Sequence, residues 1–390
     1  MNTGKTVFAQ LMEFAPHREF QKCVARYDGD YKVKEFSCWD QFLSMSFAQL
    51  AYRESLRETV VVLASSGRQL YHMGIRVKPC LNTLANANKT RDWRIFQDFA
   101  LVLIRRELAA VQGPALAPEL DLKEAVYALD STTIDLCLSL FVWARFRKRK
   151  GAVKMHTLLD VRSSMPCVVY ISDGKLHDVH MLDLLELEAG AIYIMDRAYL
   201  DFKRLYRFNA ALAFFVTRAK SNLDFKCLKS LPVEAGSGVL SDMAIALQGV
   251  KSRTLYPQPL RRVRFKDAET KRIFVFLTNN FTLPAKSIAF LYKCRWSVEV
   301  FFRWVKQNLR VKSFFGTSPN AVKTQLWIAL AVYALVVSMR RQLGLKQSPG
   351  LLLQILGVHL FEKPSLQELL TESQGGFSKS DICNQLRLFN

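Results

Sequence analysis

Apolar positions recur with helical spacing over roughly the first 75 residues, where Trp39, Phe42, Met45 and Leu50 mark one side of a helix. The S-L-R-E stretch at 55–58 has the spacing of a capping box before VVVLA, and SSG at 65–67 is expected to end that helix. The next strongly periodic stretch is T-R-D-W-R-I-F-Q-D-F-A-L-V-L-I-R-R-E-L at 90–108. Ile95, Phe96, Phe99, Ala100, Leu103 and Ile104 make its apolar face, and Arg91, Arg94, Arg105 and Arg106 decorate the rest. Such a helix suits either contact with DNA or, more simply, an amphipathic packing role with a basic exterior.

From about residue 122 the period shortens. AVYALDSTTIDL, KMHTLLDV and CVVYISDG read as three strands. The basic segment R-F-R-K-R-K-G (145–151) joins the first two, and a turn through RSSMP joins the last two. HDVHMLDLLELEAG (177–190) reads as a helix ending in glycine, and AIYIMD (191–196) as a fourth, fully buried strand. Three antiparallel strands, a helix and a fourth strand is the order of the front half of a ribonuclease H-like fold. AFFVTR, VLSDMAIAL, LRRVRF and RIFVFLT then predict a strand-built insertion over 213–281. Pro284 suits the first turn of a following helix. FGTSPNAV reads as a loop, and QLWIALAVYALVVSM (325–339) as a buried core helix, being short for a bilayer span of roughly 20 residues.

The segment 292–306, Y-K-C-R-W-S-V-E-V-F-F-R-W-V-K, places one carboxylate among cations. On a single helix, Tyr292, Arg295, Glu299 and Lys306 fall within an arc of roughly 60°. Leu291, Val298, Phe302, Val305 and Leu309 form a neighbouring apolar stripe, so the polar line is half-shielded. Taken alone, this is either a functional row or an Arg295–Glu299 surface pair worth a few tenths of a kcal/mol.

A net charge of +21 on a chain of 390 residues that is half apolar points to a folded protein with a polyanion partner. No signal peptide, lipidation motif or membrane anchor is evident, and eight singly scattered cysteines suit reduced thiols in a cytosolic protein. Among the acids, Asp130 and Asp196 each end an apolar strand, where open α/β sheets hold ligands. If those strands are neighbours, the two carboxylates face each other and need a cation, or one must stay protonated. With Glu299 the set is all oxygen, which selects Mg²⁺ or Mn²⁺. Three carboxylates suffice for two ions about 3.5–4 Å apart, the arrangement that drives phosphoryl transfer. Asp160, Asp173, Asp178 and Asp183 read more simply as turn, cap or solvated residues, and Asp135 is a weaker candidate than Asp130. His156 either points toward the site or is a satisfied strand histidine; His177 and His180 lack the further ligands of a zinc site. No phosphate-binding G-x-x-x-x-G-K-[ST] loop occurs.

The Y-x2-R-x3-E-x6-K pattern at 292–306 resembles the signature of bacterial insertion-sequence transposases of the "four" family. ALDSTTIDL and IMDRAY resemble that family's two aspartate motifs, including Arg197 and Tyr199 after the second aspartate. KMHTLLD, SDGKLHDV and GTSPNAV resemble its connecting segments, and the first 75 residues a helical domain found at the front of one branch. The resemblance implies a DDE transposase: a mixed α/β, ribonuclease H-like core with a β-strand insertion and an N-terminal helical domain. It implies that Asp130, Asp196 and Glu299 bind two Mg²⁺ ions, with Mn²⁺ as a substitute. Tyr292, Arg295 and Lys306 would hold terminal phosphates of double-stranded DNA. Cleavage would release a 3′-hydroxyl, pass through a hairpin and end in joining to target DNA. A homodimer pairing two inverted-repeat ends in the bacterial cytoplasm, at the nucleoid and with no membrane role, follows from the same likeness. Trp296 would stack on an extruded base or else be a packed structural residue.

The expected divisions are 1–75, helical and end-binding; 76–121, a helical connector; 122–203, the first part of the core; 204–283, the insertion; 284–345, the second part of the core; and 346–390, a tail suited to dimerisation. The rival readings are a metal-dependent endonuclease of the same fold that does not join strands, and a non-catalytic DNA-binding regulator.

Overall fold

The computed structural model of the chain describes residues 4–110, 124–137, 139–147, 150–308 and 314–372. Internal contacts divide the chain into two compact units. One comprises Met1–Ala110, Ile134–Ala152 and Phe302–Asn390, the other Val111–Thr133 and Val153–Phe301.

The first unit opens with helices α1 (Val7–Met12), α2 (His17–Arg26), α3 (Cys38–Leu50), α4 (Leu56–Ser65), α5 (Gln69–His72), α6 (Leu81–Thr90) and α7 (Arg94–Ala110). The capping signal at 55–58 is half realised. Ser55 accepts from the Glu58 amide, whereas the Glu58 carboxylate takes the amide of Glu54 rather than that of Ser55. The stretch expected as one helix from residue 90 begins at Arg94, because the Asp92 carboxylate accepts the Arg94 amide at 2.9 Å and starts a new helix there. Its apolar face is buried as expected. Arg91 is not exterior: its guanidinium donates to the carbonyl of Ser37 and to Gln41, and also to the carbonyl of Phe36.

The chain continues through strands β1 (Val126–Leu136), β2 (Arg145–Arg147), β3 (Lys150–Asp160), β4 (Met165–Asp173) and β5 (Ile192–Met195), then α8 (Phe202–Ala210) and β6 (Phe214–Arg218). It goes on through β7 (Phe225–Ser230), β8 (Val239–Leu247), α9 (Val250–Leu255), β9 (Leu260–Lys266) and β10 (Ile273–Thr278). Helices α10 (Ala285–Cys294), α11 (Trp296–Asn308), α12 (Pro319–Gln342), α13 (Pro349–His359) and α14 (Leu366–Glu372) complete it. Residues 111–121 of the expected connector, Leu309, and 373–390 of the expected tail lie outside the described residues, as do 148 and 149 of the basic segment.

Helix α12 is long and apolar enough to cross a membrane by length and composition. Here it is the axis of the first unit, packed by α1, α3, α6, α7 and α13. Ser318 caps it through the Ala321 amide and Pro319 occupies its first turn.

In the second unit the strands run β4–β3–β1–β5–β6–β10–β9–β8–β7, while β2 extends β3 on the first unit's side of the chain division. β1, β5 and β6 are parallel, with Leu129 opposite Met195 and Met195 opposite Thr217. The order β4–β3–β1–β5–β6 is that of a ribonuclease H-like sheet. Ile192 and Ile194 pack on one side with Ile288, Ala289 and Leu291 of α10. Tyr193 and Met195 pack on the other with Leu205 and Phe208 of α8. Both faces are covered, which is why IYIM is apolar throughout. Two expectations change. The strand AFFVTR is the parallel neighbour of β5 and therefore belongs to the core sheet; β7 to β10 continue that sheet rather than forming a separate one. The helix expected over 177–190 is a 3-10 turn, Asp178–Leu184, followed by extended chain.

Candidate active site

Alternation along a strand sends successive side chains to opposite faces. Val126 lies on the α10 side of the sheet and Leu129 on the α8 side, so Asp130 returns to the α10 side. In β5, Ile194 faces α10 and Met195 faces away. Asp196 keeps an extended backbone and faces α10 again. Leu129 and Met195 are paired in register, so the two aspartates stand side by side: Asp196 just past the end of β5, and Asp130 inside β1, which runs on to Leu136 instead of ending at the acid as expected.

Helix α10 lies over this face, and α11, which follows it, carries the third acid. The row at 292–306 was expected on one helix. It is two, broken at Arg295, which caps α10 before α11 begins at Trp296. At the joint the amides of Arg295 and Val298 each bond three residues back, both at 3.2 Å, the tighter 3-10 spacing. Glu299 sits in the first turn of α11, where the helix dipole favours a carboxylate. Leu291, Val298, Phe302 and Val305 are buried, as the apolar stripe required.

Arg295 binds the group together. Its Nη1 donates to Asp130 Oδ2 at 2.8 Å and its Nη2 donates to Glu299 Oε1. The Tyr292 hydroxyl donates to Asp196 Oδ1 at 3.3 Å, and the Ser131 amide donates to Asp130 Oδ1 at 2.8 Å. The Thr217 hydroxyl donates to the Asp196 carbonyl at 3.3 Å, tying the end of β5 to β6. Burial raises the Asp130 carboxyl to about 6; Arg295 and the Ser131 amide pull it down, and Glu299 and Asp196 push it up. Burial also raises the Tyr292 phenol, to about 12. Burial works against the Arg295 charge, but Tyr292, Glu299 and Asp130 outweigh it and hold the guanidinium more firmly protonated.

Asp130 and Glu299 therefore share the Arg295 guanidinium while Asp196 meets the Tyr292 hydroxyl, a partly buried group with two negative charges left over when all are ionised. That all-oxygen, electron-rich donor set fits a hard divalent cation. The side chains turn to Arg295 and Tyr292: among the described residues, no three His, Cys, Asp or Glu groups stand in metal-ligating arrangement.

The other expected residues divide. Lys306 is half-buried on α11 within the first unit. Arg197 is exposed in the 3-10 turn after Asp196, and Trp296 is half-buried at the start of α11. His156 does not turn toward Asp130. It shares the face of Leu158, on the opposite side of the sheet, with Nδ1 3.7 Å from Asp178 and Nε2 3.2 Å from the Ser172 hydroxyl. Burial lowers it to about 4, so it is neutral at pH 7. Tyr199 is buried on that same far side, and burial, with Asp178 and Asp130, keeps its phenol protonated. Asp160 is the turn residue it was read to be, accepting the amides of Arg162 and Ser163. Asp183 is paired with Arg204 at 2.7 Å. Asp178 is different: it binds Lys154 at 2.7 Å and accepts the Ser131 hydroxyl. In the sequence it stood at the start of the helix expected over 177–190, where it read as a turn, cap or solvated acid.

The match with the transposase DDE domain covers residues 121–335, more than half of the chain. The chain belongs to that family. A domain of unknown function, DUF4372, matches residues 3–76. A protein named as a transposase, y4zB of Sinorhizobium fredii, is 38% identical over 212 residues, 53% of this chain and 59% of that protein. One named as the transposase of insertion sequence element IS5377 of Geobacillus stearothermophilus is 37% identical over 210 residues, 53% and 55% of the two chains. The matched stretch thus spans little more than half the length of either relative. A third, named for the element IS4SA of a Synechocystis strain, is 22% identical over 66% of this chain and 70% of its own. These relatives agree with the likeness to insertion-sequence transposases read from the motifs. The piggyBac transposase, solved as a synaptic complex with hairpin DNA, aligns over 95% of this chain and 85% of its own at 12% identity and a TM-score of 0.46, too distant to assign detail. Members of the DDE family use divalent metal ions.

Proposed function

We propose that this DDE-family protein is a cut-and-paste DNA transposase, with Asp130, Asp196 and Glu299 as its catalytic carboxylates. The observation that carries the reading is the meeting of these three acids, from β1, the end of β5 and α11, around Arg295 and Tyr292. Asp130, Asp196 and Glu299 would hold two Mg²⁺ ions, or Mn²⁺ in their place. When bound, such a pair activates the attacking oxygen and offsets charge on the leaving one. The protein supplies the rest. The shared register of β1 and β5 fixes two carboxylates, and the joint at Arg295 sets the third. Tyr292, Arg295 and Lys306 hold phosphates of the DNA end, and the +21 charge draws the duplex. Water attack would release a 3′-hydroxyl, which then serves as nucleophile for a hairpin during excision and for joining to target DNA. A homodimer bridging two terminal inverted repeats in the bacterial cytoplasm completes the proposal.

The test is strand cleavage on a duplex carrying the element's end with Mg²⁺, followed by strand transfer with pre-cleaved ends. Asp196→Asn is expected to lower cleavage by at least about 100-fold, because it removes charge where phosphoryl transfer needs it. Full activity of that variant would sink the assignment. Cleavage without joining would identify an endonuclease instead, and metal-independent DNA binding without cleavage a regulator.

A further inference from the structure

We infer that Asp178 is a positioning residue for Asp130, acting through Ser131 from the opposite face of the sheet. The inference rests on Asp130 being a metal-holding carboxylate, as proposed above. Asp130 and Ser131 are consecutive in β1, so their side chains leave the strand on opposite faces. Asp130 turns to Arg295; Ser131 turns to the far side and donates its hydroxyl to Asp178 Oδ1. The Ser131 amide, meanwhile, donates to Asp130 Oδ1 at 2.8 Å. One residue thus grips the Asp130 carboxylate with its backbone and is gripped from behind by its side chain.

Asp178 is itself held by a second partner besides Ser131. Lys154 Nζ lies 2.7 Å from Oδ1, with side-chain exposures of only 14% and 22% for the pair. His156 Nδ1 is 3.7 Å away and fully buried, and the Asp178 charge reaches the buried Tyr199 phenol. A charge so enclosed is costly unless paired, and Lys154 pairs it. The anchor does not reach the Arg295 side of the sheet, so it touches neither DNA nor cation directly. It fixes the direction in which β1 presents Asp130, the role that outer hydrogen bonds play for metal ligands.

The experiment uses the full chain and Mn²⁺ alone, titrated by calorimetry, with thermal unfolding of the metal-free protein measured in parallel. Asp178→Asn keeps the shape but loses the charge that Lys154 and Ser131 bind. It is expected to weaken Mn²⁺ binding by about 10–100-fold. Ser131→Ala should do the same with little change in melting temperature, and Ser131→Thr, which restores a hydroxyl, should recover most of it. The serine pair keeps the test decisive if the Asp178 variant does not fold. Wild-type Mn²⁺ affinity in Asp178→Asn and Ser131→Ala, with binding lost in Asp130→Asn, would overturn the positioning role alone. A wild-type chain that binds no Mn²⁺, or binds it equally after Asp130→Asn, would overturn the reading of the site and this inference with it.

Discussion

Arg295 Nη1 lies 2.8 Å from Asp130 Oδ2, joining the break between two helices to the strand that carries the first acid of the site. Both side chains are mostly buried, at 17% and 20% exposure. The guanidinium also meets Glu299. In the metal-free chain it is the cation that lets the carboxylates coexist. Arg295→Met should therefore lower stability by about 2 kcal/mol, the usual loss for hydrogen bonds to charged groups left unmade. Added Mn²⁺ should stabilise this variant more than wild type, since ligand binding to the folded state alone adds to stability. Melting temperatures with and without Mn²⁺ check both statements. An unchanged melting temperature in the absence of metal would contradict the first.

A different carboxylate adds to stability above the acid range. Asp267, just past β9, accepts the amides of Glu269 and Thr270 at 3.1 and 2.8 Å and the Thr270 hydroxyl at 3.0 Å; Lys293 of α10 lies 2.7 Å from it. Burial opposes its charge, but Lys293 and the Thr270 donors outweigh burial and lower the carboxyl to about 2. The folded state thus holds the ionised form more tightly than the unfolded state does. The resulting stabilisation, at most about 2 kcal/mol, is complete above the unfolded value near 4 and disappears as pH falls through 2. Asp267→Asn should be less stable than wild type at pH 7, and the two should converge near pH 2. A gap that persists there would show that packing, not charge, explains the loss.

Much of this arrangement was legible in the chain. Asp130 and Asp196 follow the apolar runs VYAL and IYIM, and pairing those runs in parallel is enough to bring the acids together. Glu299 stood out as the one acid in a cationic segment. The features that escaped depend on partners distant in sequence or lack a local mark. The break at Arg295 has no glycine or proline to announce it. Asp178 gains meaning only when β1, β3 and the 3-10 turn meet around it. Strand β7, FKCLKS, was not foreseen because it is an exposed, lysine-bearing edge, the kind of edge that resists further pairing. Helix α6 has too few apolar residues to show a period, with only Leu84, Ala87 and Asn88 buried.

The basic strand LRRVRF divides into two kinds of arginine. Arg261 points inward and forms a two-bond pair with Asp242, at 3.0 and 2.7 Å, with 5% and 2% of the two side chains exposed. It also donates to the Asn280 carbonyl at 3.2 Å. Removing one member of such a pair strands the other charge. Arg261→Met or Asp242→Leu alone should each cost about 3 kcal/mol, while the double variant recovers most of it. Chemical denaturation of the four proteins in a double-mutant cycle measures this, and additive losses would show that the pair is not coupled.

Arg264 faces the other way, exposed on the same side of β9 as Arg262, which stacks over Phe225 at 4.9 Å. Because Arg261 is committed to the interior, only the outward pair can meet a phosphate backbone. If this strand lies against DNA, each phosphate contact releases counterions, so the logarithm of affinity falls with the logarithm of salt in proportion to the contacts made. Arg264→Ala should weaken binding to duplexes of unrelated sequence to the same extent and make the salt slope shallower by about one. Fluorescence anisotropy on a random-sequence duplex between low and physiological salt reads that slope directly. A slope equal to that of wild type would assign Arg264 to solubility.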